Sequence, residues 1–430
     1  MKVLEYPQRN LWEEIAARPG KDPGKLKKRV SDILEMVASK GDTALRTITK
    51  ELDGAELESL FVSKEEIRNA SASVDDDLKG AIDMAASNIE KFHRAQIPGK
   101  IEVETMDGII CSQRSLPLSR VGLYIPGGSA PLFSTVLMLT IPAKIAGCKE
   151  MVLFTPPDKY GKVSDTILYV ADRLGIEEIV KVGGAQAIAA MAYGTESIKK
   201  VDKIFGPGNS YVAEAKLQVS GTVAIDMVAG PSELMIIADG SANPAFIAAD
   251  LLSQAEHGPD SQLFLLTTEE NLAKEVNDQL FIQLIKLSRE KTASAALENS
   301  RIVILKSMDE MIDFANIYGA EHLMISTNDP WKIAERIESA GSVFLGHFSP
   351  ESAGDYASGT NHSLPTNGWT RSSGGISVDS FLHKISYQQL SKKGLLKVGR
   401  TVETMAEAEG LQAHKNAVSI RLKEIENGVE

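Results

Sequence analysis

Cysteine is nearly missing from this chain. Cys111 and Cys148 are the two among 430 residues, too few for a disulfide framework and without a CxxC pair for a zinc knuckle. Any metal must therefore be held mainly by imidazole, carboxylate and amide groups. Long apolar runs are missing as well. Stretches such as "STVLMLTIPAKIAGC", 134 to 148, are short and interrupted, so no bilayer span is expected. The opening "MKVLEYPQRNLWEE" lacks the apolar core of a signal peptide, which makes the cytoplasm the expected location. Positive charge is in deficit: the formal net charge is −12, and no dense Lys/Arg patch exists to displace counterions from nucleic acid.

What is present is a folding composition. Hydrophobic residues make up 43% and charged ones 24%, the balance of a chain that buries a core. At this length at least two domains are expected. The first hundred residues read mainly as helices with charged turns such as "ASKGDTA". A hairpin follows in "IEVETMDGIICSQRSL", turned at Asp107-Gly108. Beyond it, β-branched runs alternate with amphipathic stretches: "RVGLYI", "EMVLFT", "EIVKVG", "VDKIFG", "ELMIIAD", "QLFLLT", "RIVILK", "HLMIST" and "SVFLG". Such alternation marks βα units and parallel sheets covered on both faces, and the run is too long for one sheet. The expected class is α/β with two parallel-sheet domains of similar design. No short-period internal repeat is visible.

Helix punctuation agrees. Ser164 is placed to cap a helix that stops at Gly175, and Asn243 with Pro244 to open one that ends at Gly258. From about residue 349 the chain is loop-rich, "SPESAGDYASGTNHSLPTNGWTRSSGG", and a loop of that length is usually functional. The last forty residues return to helix, with an apolar stripe of Leu411, Val418, Leu422 and Ile425 on which His414 sits. A tail with a stripe to bury suggests docking on another subunit.

The seven histidines can be weighed singly. In "SQAEHGPDSQ", 253 to 262, Gln254 and His257 are three apart near a helix end and share a face. Half a metal site and a histidine serving the helix dipole both fit that spacing. Asp355 and His362 stand seven apart in "GDYASGTNH", as site partners or as solvated loop groups. His414 is either a ligand or a satisfied core histidine. Glu321-His322 stand where "HLMIST" begins and supply two proton acceptors, one near neutral pKa and one tunable by burial. A charged pair at a strand edge is the plainer alternative, and α/β ligands ordinarily sit at the opposite, carboxyl ends of strands. His93 and His383 read as surface or half-buried residues in charged or mixed helical context, and His347 in "LGHFSP" is left open.

Three glycine-rich turns, "YIPGGSAP", "VGGAQAIAA" and "FGPGNSYVAEAK", each follow a strand and open a helix, as a phosphate-binding loop does. None is GxGxxG with an acidic residue about 20 further on. An anion or nucleotide cleft and ordinary tight βα turns both remain open.

Taken in order, "GLYIPGGSAP", "VGGAQAIAA", "KIFGPGN", "DMVAGPSE", "DLLSQAEHGPDSQ", "GAEHL", "SAGDYASGTNH" and "AHKNAV" resemble the histidinol dehydrogenase family over roughly residues 115 to 420. The resemblance implies oxidation of L-histidinol to L-histidine, the last two steps of histidine biosynthesis, with two NAD and one water through a retained aldehyde. It implies one zinc ion per subunit, with Gln254, His257, Asp355 and His414 as ligands, although N/O donors also accept Mn or Co. Glu321 and His322 would be the acid/base pair. Ser232, His362 and Glu409 would contact substrate together with His322 and the metal ligands, and Tyr124, Gln186 and Asn209 would line the NAD site. His414 and Glu409 would complete the active site of the other protomer in a homodimer. One departure is Gly410, where the family pattern leads one to expect a basic residue.

The implied fold has two incomplete Rossmann-like domains with smaller helical terminal segments. Its expected division is 1–22 as an N-terminal segment, 23–123 with 233–375 as the first α/β domain, 124–232 as the NAD-binding domain, and 376–430 as a dimer-exchanging helical tail. Other classes stay open: a zinc hydrolase using Glu321 to activate water, or a non-catalytic α/β binding protein. A thiohemiacetal route through Cys148 is disfavoured by its apolar setting, "IAGCKEMVLF".

Overall fold

The computed structural model describes residues 1–19, 23–127, 131–227 and 230–428. Parts of "YIPGGSAP" (128–130) and "DMVAGPSE" (228–229), and the end of the expected segment 1–22, lie outside the described residues. The first strand is β1 (Lys2–Glu5), and the expected hairpin forms from β2 (Ile101–Met106) and β3 (Ile109–Pro117). Next come β4 (Arg120–Tyr124), β5 (Glu150–Phe154), β6 (Glu178–Val180), β7 (Lys203–Phe205) and β8 (Ala224–Ile225). A second series follows: β9 (Glu233–Ala238), β10 (Gln262–Thr267), β11 (Arg301–Ile304), β12 (Ala320–Ser326) and β13 (Ala340–Leu345), with β14 (Leu382–Leu390) last.

Strands β4 to β8 make a parallel sheet in the order β6-β5-β4-β7-β8, and β9 to β13 with β1 make another in the order β1-β11-β10-β9-β12-β13. Counted from its own first strand, each series runs 3-2-1-4-5, the Rossmann order without its sixth strand. The α/β class with two incomplete Rossmann-like sheets is therefore the observed architecture, and every expected strand is present. β9, β10 and β12 are buried at every position, which is why they read as unbroken apolar runs instead of alternating ones.

The helices before the first sheet pack differently from the expected grouping. Pro23–Leu52, Lys64–Ser73 and Asp76–Arg94 lie against the helices that flank β4 to β8. Their stripe, with Val30, Leu34 and Leu45, closes a core with Phe154, Val180 and Met191. Residues 23–94 thus cover the five-stranded sheet and not the sheet of 233–375. β4 also begins at Arg120, ahead of the expected boundary at 124.

Punctuation follows sequence in part. Ser164 precedes the helix Asp165–Arg173 but its side chain makes no capping hydrogen bond, Gly175 turns away with φ +74°, and Asn243 caps Pro244–Ala255 by accepting from Ala245 N. That last helix stops at Ala255, short of the expected Gly258.

A second compact unit comprises Ile97–Pro117 and Phe381–Glu430. It holds an antiparallel sheet in the order β14-β3-β2 and the packed helices Lys392–Ala408 and Gln412–Asn427. The tail after 376 is consequently not all helix, and His383 is an exposed residue of β14 instead of a helical one. Among the described residues no helix is long and apolar enough to cross a membrane.

Candidate active site

Glu321 and His322 are the second and third residues of β12, inside the strand and not ahead of it. Both are buried, and they face the first residues of β9 across the parallel ladder, His322 in register with Leu234. Glu321 Oε2 accepts from Glu233 N at 2.9 Å and lies 3.5 Å from His322 Nδ1. His322 Nδ1 lies 3.2 Å from Glu233 O. A carbonyl can only accept, so Nδ1 carries the hydrogen and Nε2 is the ring atom left for chemistry. Nε2 is buried without a partner, 3.8 Å from Asp355 Oδ1. Ser232 stands half-buried immediately before β9, at the same amino edge of the sheet.

Glu233 anchors this edge. Its carboxylate takes Arg18 Nε and Nη2 at 2.7 and 2.9 Å and Asn367 N at 2.8 Å, while the Arg18 guanidinium lies 4.0 Å over the Tyr318 ring. A buried carboxylate with a bidentate arginine is a fixed post. The backbone on which Glu321 and His322 lean is therefore pinned.

The region expected as one long loop contains a short helix, Glu351–Tyr356. Glu351 and Asp355 are four apart and share a face of it. Glu351, 1% exposed, lies 3.5 Å from His322 Nδ1. His322, Glu351 and Asp355 bring one ligand atom each to within 4.8 Å of one another. Gln254, 1% exposed in the last turn of Pro244–Ala255, faces the same Glu351 carboxylate. Only an NH2 group can satisfy that neighbour, and so placed it donates to Glu351 Oε2 at 3.1 Å, which leaves the amide oxygen free.

His257 lies beyond the helix, in a turn closed by His257 N on Gln254 O at 3.3 Å, and it acts electrostatically on His362. His362 Nδ1 contacts Asp355 O at 2.9 Å, so it too carries its hydrogen there, and Nε2 meets Thr135 Oγ1 at 3.2 Å. Burial holds the His362 ring neutral in spite of Asp355. Burial also opposes charge on His322, but the carboxylates of Glu351 and Glu321 outweigh it and raise that ring's pKa. Glu351 is pushed up by burial, only partly offset by His322.

The remaining expected residues fall in two places. Tyr124, Gln186 and Asn209 line one cavity of about 870 Å³, and they come from all three glycine-rich turns. It lies where β4 and β7 end and the strand order reverses, the usual place for an α/β ligand. Gly206, at φ +125°, is required there because a Cβ would run into Tyr124 O. Its N–H is held by Asp226 Oδ2 at 2.8 Å, and Asp226 pairs with the buried Lys216. Tyr124 OH accepts from Gly184 N at 3.1 Å, and burial pushes its pKa up to about 12. Asn209 caps Ser210–Val219 through its side-chain oxygen, which leaves its NH2 free for a ligand. Glu409 and His414 belong to the second unit, Glu409 at the C-cap of Lys392–Ala408 and His414 within Gln412–Asn427. Both are exposed, so the core-histidine reading of His414 fails.

One further histidine departs from its expectation, and the one left open is now placed. His93 is fully buried, with Nδ1 2.8 Å from Ile89 O, so it is a core residue and not a surface one. His347 lies between Ser326 Oγ at 2.8 Å and Ser241 Oγ at 3.2 Å, and Ser241 bonds Asp239. This chain of hydrogen bonds joins the carboxyl ends of β9 and β12, the position in the six-stranded sheet equivalent to the cavity mouth in the other.

A family model described as Histidinol dehydrogenase matches residues 16–422. The chain belongs to the histidinol dehydrogenase family. A histidinol dehydrogenase of Bacteroides fragilis (strain YCH46) is 55% identical over 427 residues, 99% of this chain and 100% of the relative. That of Bacteroides thetaiotaomicron is 52% identical over 424 residues, 98% of this chain and 99% of the relative. The crystal structure of histidinol dehydrogenase from Elizabethkingia anophelis has a TM-score of 0.96 and 52% identity, covering 99% of each chain. Membership in the histidinol dehydrogenase family makes the chain an oxidoreductase.

Sequence reasoning missed Glu351, Glu233, Arg18 and Thr135. The i,i+4 spacing of Glu351 and Asp355 carried a signal, which the Gly- and Ser-rich composition around it hid. Arg18 and Thr135 carried none, because they meet Glu233 and His362 only through tertiary contacts, unseen in a sequence of the histidinol dehydrogenase family.

Proposed function

We propose that the chain oxidises L-histidinol to L-histidine by way of L-histidinaldehyde, consuming two NAD and one water. A zinc ion held by Gln254, His257, Asp355 and His414 is part of this reading. The observation that carries it is the buried, unpartnered Nε2 of His322, set beside Asp355 and backed by Glu321. The donor set fits a dication: one carboxylate, imidazoles, and the Gln254 amide oxygen left free once its NH2 faces Glu351. When bound, the metal would supply Lewis acidity for holding nitrogen donors of the substrate, and NAD would supply the hydride acceptor.

The chain's own residues do the proton work. His322 Nε2 takes the carbinol proton while Nδ1–H stays on Glu233 O. Glu321, with one oxygen fixed by Glu233 N, uses the other to take a proton from the water that hydrates the aldehyde. His322, having released its first proton to solvent, then takes the hydrate proton in the second oxidation. In the bare site the carboxylates favour the charged His322 ring, and a neighbouring dication would offset that field and favour the neutral ring, whose Nε2 can accept a proton. Ser232 and His362 stand at the rim to orient substrate.

We also propose a homodimer in which Glu409 and His414 serve the partner's site. The three-stranded sheet supports this, for it exposes Ile101 and Val103 on one face and Ile110 and Ile385 on the other, apolar groups that call for cover.

Absorbance at the nicotinamide wavelength tests the reading: two NADH per histidinol are expected from metal-loaded enzyme, and none would refute it. Mixing His414→Ala with His322→Ala protein should restore part of the lost activity. No recovery despite subunit exchange would refute the shared site.

A further inference from the structure

The cofactor cavity lacks the usual acidic partner at the usual place. A Rossmann site reads the ribose diol with an Asp or Glu about 20 residues past its glycine turn, at the end of the second strand. Here the second strand is β5, and it ends in Phe154, Thr155 and Pro156. Three acids line the cavity: Asp53, Asp158 and Asp165. Asp158 serves its own turn, its Oδ1 accepting from Tyr160 N and Lys162 N at 2.9 Å each. Asp165 accepts from Ser73 Oγ at 2.7 Å.

Asp53 is different. It follows the helix Pro23–Leu52 and is fixed by its own N–H on Thr49 O at 2.9 Å. Among the described residues no donor reaches its carboxylate, and Oδ2 is buried without a partner. Burial alone pushes the carboxyl up to about 6, with no cation to offset it. An unmatched carboxylate in a cavity wall costs stability unless something with donors meets it. Thr155 Oγ1 and Gln186 Oε1, on the same wall, are unpartnered as well. Asp53, Thr155 and Gln186 all belong to the lining of one cavity, and acceptor-capable groups in such a lining match a ligand bearing hydroxyls.

We propose that Asp53 is the ribose-recognising carboxylate of this site, accepting hydrogen bonds from a ribose diol of the dinucleotide. It is supplied by the helix that precedes the sheet instead of by the end of β5. This rests on the cavity taking NAD. The assignment explains why no fingerprint acid stands after any glycine turn: the helix Pro23–Leu52, packed on Gly184–Tyr193 and Ser210–Val219, delivers the group from outside the βα units.

Calorimetric titration of the zinc-loaded enzyme with NAD, without histidinol, provides the test. Wild-type protein should bind NAD; if it does not, the cofactor reading fails and Asp53 is not at issue. Given wild-type binding, Asp53→Asn and Asp53→Ala should each raise the Kd for NAD roughly 10- to 100-fold, the worth of charge-assisted hydrogen bonds. Zinc affinity, titrated in parallel, should not move. Titrations with AMP and with nicotinamide mononucleotide show whether the adenosine or the nicotinamide ribose carries the loss. An NAD analogue lacking the hydroxyls of that ribose should bind wild type and both variants alike. An unchanged Kd for NAD in folded variants overturns the proposal, and so does an equal loss for the analogue.

Discussion

The Glu351 carboxylate joins Gln254 to His322. Oε2 takes the Gln254 side-chain NH2 at 3.1 Å, and Oε1 lies 3.5 Å from His322 Nδ1. One buried group thereby orients a proposed metal ligand and the proposed base together. Partners of this kind commonly govern a metal's affinity through its ligand. Glu351→Ala should weaken zinc binding by roughly 10- to 100-fold, measured by chelator competition on the folded protein. Unchanged zinc affinity would remove Glu351 from that role.

Gly341 of β13 passes close to β12, which carries the proposed acid/base pair. A Cβ there would stand 2.5 Å from Glu321 O and 3.2 Å from Leu364 Cβ. β12 is held between β9 and β13, so it has no room to yield. Gly341→Ala should cost about 1–3 kcal/mol of stability and lower kcat for histidinol. The Kd for NAD should stay put, since the cofactor cavity belongs to the other sheet. A fully active, fully stable variant contradicts this account.

Cys148 is buried at 8% exposure, and burial raises its thiol to about 11. The neutral thiol is a poor nucleophile. Alkylation at Cys148 in the folded protein, read by peptide mapping, should stay slow from pH 7 to 9, and Cys148→Ala should oxidise the aldehyde at an unreduced rate. Collapse of that step alone would reinstate a thiohemiacetal route.

Asp250, in the helix Pro244–Ala255, has its carboxyl raised by burial to about 7. In the unfolded chain it titrates near 3.9. Between these values the folded state holds the proton more tightly, so stability falls as pH rises from about 4 to about 7 and is level above. Asp250→Asn should match the parent near pH 4 and exceed it by about 1–2 kcal/mol at pH 8, allowing for partial exposure. Denaturant melts at the two pH values decide the matter, and a gain that is equal at both would show the cause is not ionisation.

The strands were legible because a sheet covered on both faces demands continuous apolar runs, as in "ELMIIAD" and "QLFLLT". β1, four residues long, and β8, two, are too short to show a period. β14 was hidden because its residues are mostly exposed and mixed in character. Glu321-His322 stood out by chemistry alone, but their burial and the tautomer of His322 come from Glu233, 88 residues before Glu321. The packing of 23–94 was also beyond reach: an amphipathic stripe says that a helix must be covered, not by which sheet.

The shared 3-2-1-4-5 order allots separate ends of separate sheets to separate tasks. In the five-stranded sheet the carboxyl end opens on a cavity. In the six-stranded sheet that end is bridged by Ser326, His347, Ser241 and Asp239, and the proposed acid/base pair, Glu321 and His322, stands at the amino end. Modularity follows. If the cavity takes the dinucleotide as proposed, substitutions that retune nucleotide choice can accumulate along one edge without displacing the proposed base on the other, so cofactor preference can be altered while the proton chemistry is left alone.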